Sequence, residues 1–480
     1  MTRRRSCLSI SIIVFITATA VFFALSGCVS SKKTEEPEQT AYRKKPEEEK
    51  KPVPEKKEEK DTYAKIEEQM EKGETEKALR TFEAQEKALE DPEDLLLYAL
   101  LLLANGDYEK AYEVMLKAAE MAPEDTEILY NLSLIEGARG NSKKQQELLE
   151  KIIRLEPDHV EARTALGEIY LQKKKKAEAR KAFLEALGKD DSYSPARMGY
   201  ARTLMDEGKY AKAKEELDRV IEEEPDNPMA YIDRSKTKLA LSDREGAVED
   251  LSRAIDLEPD YFWNYLDRGR IYVKMGKRDA ALEDFTRAIE LNDTIFFSFA
   301  YRAGIYEELG LFKKAVADYK RVIELREDYF FAHISLGTLL YMMNDWKESA
   351  HHFKQAFSYN EDMPSYALLA ALALKRGGES DKAEAYLKDK ISTVDRDSLY
   401  YHLFRLYIEK GYDSHFMHKL KDEQEEDVKA KGLFFLASYY LLEGRKNLAK
   451  TYFLETRDTL LPDEVEARIA EWELKLNLSE

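Results

Sequence analysis

Between Pro228 and Tyr329 the apolar positions return every 34 residues. Each block carries an aromatic (Tyr231, Tyr265, Phe299), then an arginine three residues on (Arg234, Arg268, Arg302), then a small residue (Ser235, Gly269, Ala303). Later come Ala247, Ala281 and Ala315, each followed four residues on by a bulky side chain (Leu251, Phe285, Tyr319). Spacings of three and four put side chains on one face of a helix, so each block predicts two short amphipathic helices. The turn between them falls at Gly106, Gly140, Lys174, Gly208, Ser242, Gly276, Gly310, Asn344 and Gly378. Glycine suits that slot because a tight link between helices needs a residue that accepts positive φ. Small residues at Ala111, Ala179, Ala213, Ala247, Ala281, Ala315 and Ala383 mark where the two backbones cross closely.

A fixed 34-residue period of paired helices resembles the tetratricopeptide repeat family. The resemblance implies an all-α fold, a right-handed α-solenoid of helical hairpins whose first helices line a concave groove. Nine blocks keep the register from 92 to 397. An irregular hairpin at 61–91 precedes them, with Gly73 at its turn. A degenerate block at 398–429 and a recovered one at 430–461 follow, so that helical hairpins fill 61–461. After Pro462, residues 462–480 predict a capping helix, with Val465, Ile469, Trp472 and Leu476 on one stripe to close the last open core face.

The N-terminal residues follow a different pattern. Arg3, Arg4 and Arg5 precede an apolar run from Leu8 to Ala24, and the run ends in Leu25-Ser26-Gly27-Cys28. Residues 1–28 therefore read as a targeting segment. The tetrad resembles the lipobox of bacterial lipoproteins, which implies cleavage before Cys28 and lipidation of its thiol. An uncleaved membrane anchor is the alternative, because the run is nearly long enough to span. Residues 29–60 are rich in Lys, Glu and Pro and nearly devoid of apolar side chains, which predicts a disordered tether. As a coil it would span roughly 30 Å, and about 100 Å at full stretch.

Length alone, 480 residues, would suggest several domains. The repeat overrides that, since a solenoid is one core built from neighbour contacts. Net charge is −18. Removing the three N-terminal arginines and a tether of ten basic and nine acidic residues leaves −22 on 61–480, which repels phosphate backbones and argues against nucleic acid. The two cysteines, Cys7 and Cys28, lie at the N-terminus, so no disulfide holds the body.

Two sets of residues stand out. Arg234, Arg268 and Arg302 occur in the blocks that also carry Asp250, Asp284 and Asp318; other blocks have Leu132, Leu166 or Leu336 with Leu148, Ala182, Glu216 or His352. Their joint appearance predicts a structural ion pair across the two helices of a repeat. The second set is aromatic: Phe262-Trp263, Phe296-Phe297 and Phe330-Phe331 open three successive blocks. In the family that this chain resembles, the second position faces the groove and is usually polar or small, so Trp263, Phe297 and Phe331 are candidate partner contacts. Phe262, Phe296 and Phe330 belong to the same stripe. The alternative is that all six rings fill gaps between repeats.

Catalytic chemistry is thin. His415 and His418 share a helix face and His351 adjoins His352, but neither pair has a third ligand, so no metal is expected. No Walker motif, dinucleotide fingerprint, nucleophile elbow or HExxH occurs, and no cofactor is expected. Slots that serve the family's carboxylate clamp hold Thr164, Glu168, Met198 and Ile232, which excludes that subtype. The sequence thus predicts a non-enzymatic interaction scaffold, lipid-anchored in the bacterial cell envelope and exposed to the periplasm, with the outer membrane open. Its partner would be another envelope protein or an apolar or basic peptide segment; neither nucleic acid nor a small-molecule substrate is expected. An assembly factor for outer-membrane proteins, secretion or pili, or a regulator of a cell-wall enzyme, is the alternative.

Overall fold

The computed structural model describes residues 56–85, 90–476 and 478. The described residues form 25 α-helices and one 3-10 turn, and no strand occurs among them. The targeting segment, Cys28 and the tether as far as 55 lie outside the described residues. Helix α1 begins at Lys56, ahead of the expected boundary at 61. No helix among the described residues is long and apolar enough to cross a membrane.

The chain divides into two compact units. One contains the residues up to Asp226 with Lys236–Leu241; the other contains Asn227–Ser235 and Ser242–Glu480. The first unit holds α1 (Lys56–Glu71), α2 (Thr75–Glu83), α3 (Pro92–Ala104), α4 (Tyr108–Met121), α5 (Thr126–Ala138), α6 (Ser142–Leu155), α7 (Val160–Gln172), α8 (Lys176–Leu187), α9 (Ser194–Asp206) and α10 (Tyr210–Glu223). The boundary runs through α11 (Pro228–Ala240). The second unit continues with α12 (Arg244–Leu257), α13 (Phe262–Lys274), α14 (Arg278–Leu291), α15 (Phe296–Glu308), α16 (Phe312–Leu325), α17 (Phe330–Met342) and α18 (Trp346–Tyr359). It ends with α19 (Pro364–Arg376), α20 (Ser380–Lys390), α21 (Leu399–Ile408), α22 (Asp413–Asp422), α23 (Glu426–Leu442), α24 (Lys446–Thr459) and α25 (Val465–Leu476).

Local chemistry explains why the helices start and stop where they do. Asp91, Asp107, Asp125, Asn141 and Asp243 each accept a backbone N–H from the first turn of the helix they precede. Gly106 at the first regular turn takes φ +81°, and Lys174, Ser242 and Asn344 adopt the same left-handed region where their repeats lack a glycine. The alanines at the crossings, Ala111 through Ala383, have 0% exposure, so each hairpin closes backbone to backbone. Opposite them sit the rings: a Cβ on Gly199 would come within 2.3 Å of Phe183. The apolar helix α3 is core on two sides. Leu96 and Leu100 pack with Ile128 and Leu129, while Leu97 and Leu103 pack with Ile66 and Phe82 of the first hairpin.

Helix α25 does more than close the last hairpin. It packs on α24, and it also lies against α17. Its buried face carries Glu466, Ala467, Ile469, Ala470, Glu473 and Leu474, while Leu476 is 63% exposed. Two carboxylates lie on this buried face, and Glu473 finds polar partners there. Glu473 accepts from the Tyr341 hydroxyl at 3.0 Å and pairs with Arg376 at 3.3 Å. Arg468 pairs with Glu307 on α15, and Trp472 meets Tyr341 edge-on at 5.8 Å. The last helix is therefore seated across first helices of earlier repeats.

Candidate partner-binding face

Each first helix carries one face built from its second, fifth, sixth, ninth and twelfth positions, here called the groove face. On α15 that face holds Phe297, Ala300, Tyr301, Gly304 and Glu307. The six aromatic residues singled out in the sequence divide by exposure. Phe297 and Phe331 are 39% and 56% exposed, whereas Trp263 is partly buried against Leu266, Phe285 and Ile305. Phe262, Phe296 and Phe330 at the first positions are all partly buried. Phe296 lies under the Arg326 guanidinium at 5.2 Å.

The rings form two groups instead of one stripe. Phe297 contacts Phe296 at 4.0 Å, Phe296 contacts Tyr329 at 5.0 Å, Tyr329 contacts Phe331 at 5.7 Å, and Phe331 contacts Phe330 at 4.1 Å. Five rings thus run unbroken across two repeats. Phe262 and Trp263 touch each other at 4.9 Å, with Tyr261 beside Phe262. The break has a simple cause: Ile295 stands in the slot that Tyr329 fills one repeat later, so no ring bridges Phe262 to Phe296 there.

The arginine and aspartate sets lie together. Arg234 donates from Nε and Nη2 to both carboxylate oxygens of Asp250, at 2.9 and 2.7 Å. Arg268 does the same to Asp284 at 2.9 and 2.7 Å, and Arg302 to Asp318 at 2.8 Å for both bonds. Bidentate geometry at this burial makes the pairs strong and specific. The Asp318 carboxylate holds Arg302 above its ordinary pKa. A further link joins successive repeats: Arg268 donates to Ser252 at 2.9 Å and Arg302 to Thr286 at 3.2 Å.

Two polar pairs escape the sequence pattern because the donor moves to the fourth helical position. Arg197 there bonds Glu216 at 2.8 Å, and His333 there lies 3.0 Å from His352, Nδ1 to Nδ1. Burial lowers His333 and pushes His352 down to about 3, so the histidine pair is neutral at pH 7 and shares one proton in its contact. A polar residue at a position otherwise held by Tyr231, Tyr265 or Phe299 was the available signal. No cluster of three or more potential metal ligands occurs among the described residues. These groups hold helices together; none is arranged as an acid, base or nucleophile around an open site.

The groove face changes along the second unit. On α15 it is open, with Phe297 and Tyr301 exposed; on α13 Arg270 and Val273 are exposed while Leu266 is buried. On α17 it is open at Phe331 but closed at Thr338 and Tyr341, where α25 lies. On α19 Leu368, Leu369 and Leu372 have 0% exposure, enclosed by α18, α20, α21 and α23. The open stretch therefore runs from Trp263 to about Phe331.

Paired antiparallel helices repeated at one period with tight turns define a helical-repeat interaction scaffold. Profiles described as tetratricopeptide repeat match residues 92–135, 264–294, 302–329 and 334–392, and a tetratricopeptide repeat protein 21 N-terminal ARM repeat profile matches 125–248. The chain belongs to the tetratricopeptide repeat proteins. The chain is also similar to solved structures, nearly the whole of each being matched. MamA is 25% identical, with 34% of this chain and 95% of that chain covered at a TM-score of 0.32. Pseudomonas aeruginosa pilF is 15% identical, with 42% and 92% covered at 0.39. The P58(IPK) TPR domain is 15% identical, with 81% and 99% covered at 0.30. No curated protein matches the chain.

Proposed function

We propose that this protein is a lipid-anchored, non-enzymatic scaffold of the bacterial envelope that holds a partner protein or peptide on the open groove face of α13, α15 and the first half of α17. One observation carries the reading: Phe297 and Phe331 stand 39% and 56% exposed, linked through Phe296 and Tyr329 into one ring surface. Aromatic side chains held in water by rigid helices supply large contact area at little entropic cost, which is why they dominate interface energies. The lipid anchor rests on Leu25-Ser26-Gly27-Cys28 and the polar residues that follow it. A mixed acyl anchor of that kind gives stable membrane attachment where one chain alone would be reversible.

The binding half is tested by crosslinking in native membranes, comparing wild type with a Trp263→Ala, Phe297→Ala, Phe331→Ala variant of equal helicity by circular dichroism. A partner recovered by wild type and lost by the variant supports the reading; an identical partner set sinks it. The anchor is tested by radiolabelled palmitate, which wild type should incorporate and Cys28→Ser should not.

A further inference from the structure

Gly304 sits in the middle of α15 at the ninth helical position, and nothing approaches within 4 Å of where its Cβ would point. The other helical glycines next to rings have a packing reason. Gly167 and Gly199 face Phe183, Gly269 faces Phe285 and Gly337 faces Phe353, each with a ring atom within 3.0 Å of the added carbon. A mid-helix glycine costs about 1 kcal/mol against alanine, and at Gly304 the chain accepts that cost in front of empty space. Glycine in such a position leaves room for something to come close to the backbone.

The notch has defined walls. Tyr301, one turn earlier, is stacked on Phe285 at 5.4 Å and covered by the Arg270 guanidinium at 5.6 Å, so its ring is fixed. Phe297 lies a further turn back on the same face, and Ala300 keeps the floor low. On the other side the face runs without a break into an interface already formed. Glu307, three residues on from Gly304, holds Arg468 of α25. That helix shows what the groove face accepts: an α-helix with Ile469 and Ala470 turned inward and an arginine set on a carboxylate. Beyond it the rim is mixed in charge, with exposed Arg270 and Lys274 on α13 and Glu308 on α15.

We propose that the open groove face is a second helix seat, continuous with that of α25, which takes an amphipathic α-helix of the partner with a bulky apolar side chain over Gly304. This rests on the groove reading above and sharpens it: the partner element is a helix with an apolar stripe and a mixed-charge polar face. Helices bind such grooves through anchors at three- and four-residue spacing. One anchor would fill the notch between Tyr301 and Glu307, and others would meet Phe297 and Phe331.

The test uses the full-length chain and a fluorescein-labelled peptide of residues 462–478, which contains the helix that the adjoining seat already holds. Because α25 occupies its own seat, the peptide in trans has the open face to bind. Fluorescence anisotropy should show saturable one-to-one binding by wild type. Gly304→Leu, which fills the notch and leaves the net charge unchanged, should weaken binding at least about tenfold, roughly 1.4 kcal/mol, without lowering the melting temperature. Undiminished binding by Gly304→Leu, or no binding by wild type, overturns the helix seat. If Gly304→Leu binds normally while the triple aromatic variant loses its crosslinked partner, the seat falls and the groove reading stands. If neither variant changes anything, both fall.

Discussion

Helices α15 and α19 occupy the same place in their repeats, yet one has an open groove face and the other is enclosed on every side. On α15 the fifth, sixth and ninth positions are Ala300, Tyr301 and Gly304; on α19 they are Leu368, Leu369 and Leu372, all at 0% exposure. Repeat position fixes how a helix packs within its hairpin, and the residues of the remaining face decide whether anything else covers it. A helix that is apolar all round has to be buried all round, and α21 and α23 do this for α19. A helix whose remaining face is two exposed rings and a notch stays open.

The largest effect that would break this comparison lies on the covered side. Arg376→Ala takes the guanidinium from Glu473, which is 1% exposed, and from the Trp346 ring at 5.0 Å. Removing one member of a buried pair costs about 3 kcal/mol, so denaturant unfolding should show a loss of that order; a loss below about 1 kcal/mol would mean that α25 is loosely held. Next, Asp284→Ala strips a bidentate partner from Arg268 and should cost about 2 kcal/mol. The Arg268→Ala, Asp284→Ala double variant should lose less than the sum of the single losses, and additivity would refute the pairing.

Glycines on opposite faces give a finer contrast. Gly269→Ala forces a methyl against Phe285, whose ring would lie 2.7 Å away, and should destabilise by about 1–3 kcal/mol. Gly304→Ala meets nothing and should stabilise by about 0.5–1 kcal/mol. Thermal melts of both variants decide whether the α15 face is open in solution; a loss at Gly304 would show that it is covered.

A pH experiment probes the seat of α25. Burial raises the Glu466 carboxyl to about 7; the charges of Glu464 and Asp427 add to the rise and the Lys431 ammonium opposes it. Because the folded protein keeps this proton where the unfolded chain has released it, stability falls as pH rises from about 4.5 to about 7. Glu466→Gln should therefore gain on wild type at pH 8 and match it at pH 4; equal pH profiles would show that the carboxyl is solvated. The smallest effect belongs to the open rings. Phe331→Ala should change stability by less than about 0.5 kcal/mol, and a larger loss in urea unfolding would make that ring part of the core.

Much of this was legible from spacing. The period gave the hairpins, the turn glycines and the Arg–Asp slots, because each repeats the same local demand. The Arg197–Glu216 and His333–His352 contacts were harder to read, since the donor shifts three residues along the helix and the pattern no longer aligns. The position of α25 was hidden for another reason. A stripe of Val465, Ile469, Trp472 and Leu476 reads as an end cap, and nothing local says that Glu466 and Glu473 will find cations inside. Long-range burial of a carboxylate depends on partners far along the chain, which periodicity does not carry. The exposure of Phe297 and Phe331 likewise depended on where α25 stops, and α19's run of buried leucines was the clue that the enclosed part begins beyond them.

The bond between Tyr341 and Glu473 joins residues 132 apart in sequence, and Arg376 reaches the same carboxylate across 97. Stacked repeats otherwise touch only their neighbours and can assemble from any point outward. These closures make α25 the clasp of a long loop, so the helices from 296 to 376 gain their last contacts only once residues 465–476 have been made. Contacts of such sequence separation slow folding and couple the parts that they join. The end of the array, where a simple stack would fray first, becomes a place that opens all together or not at all.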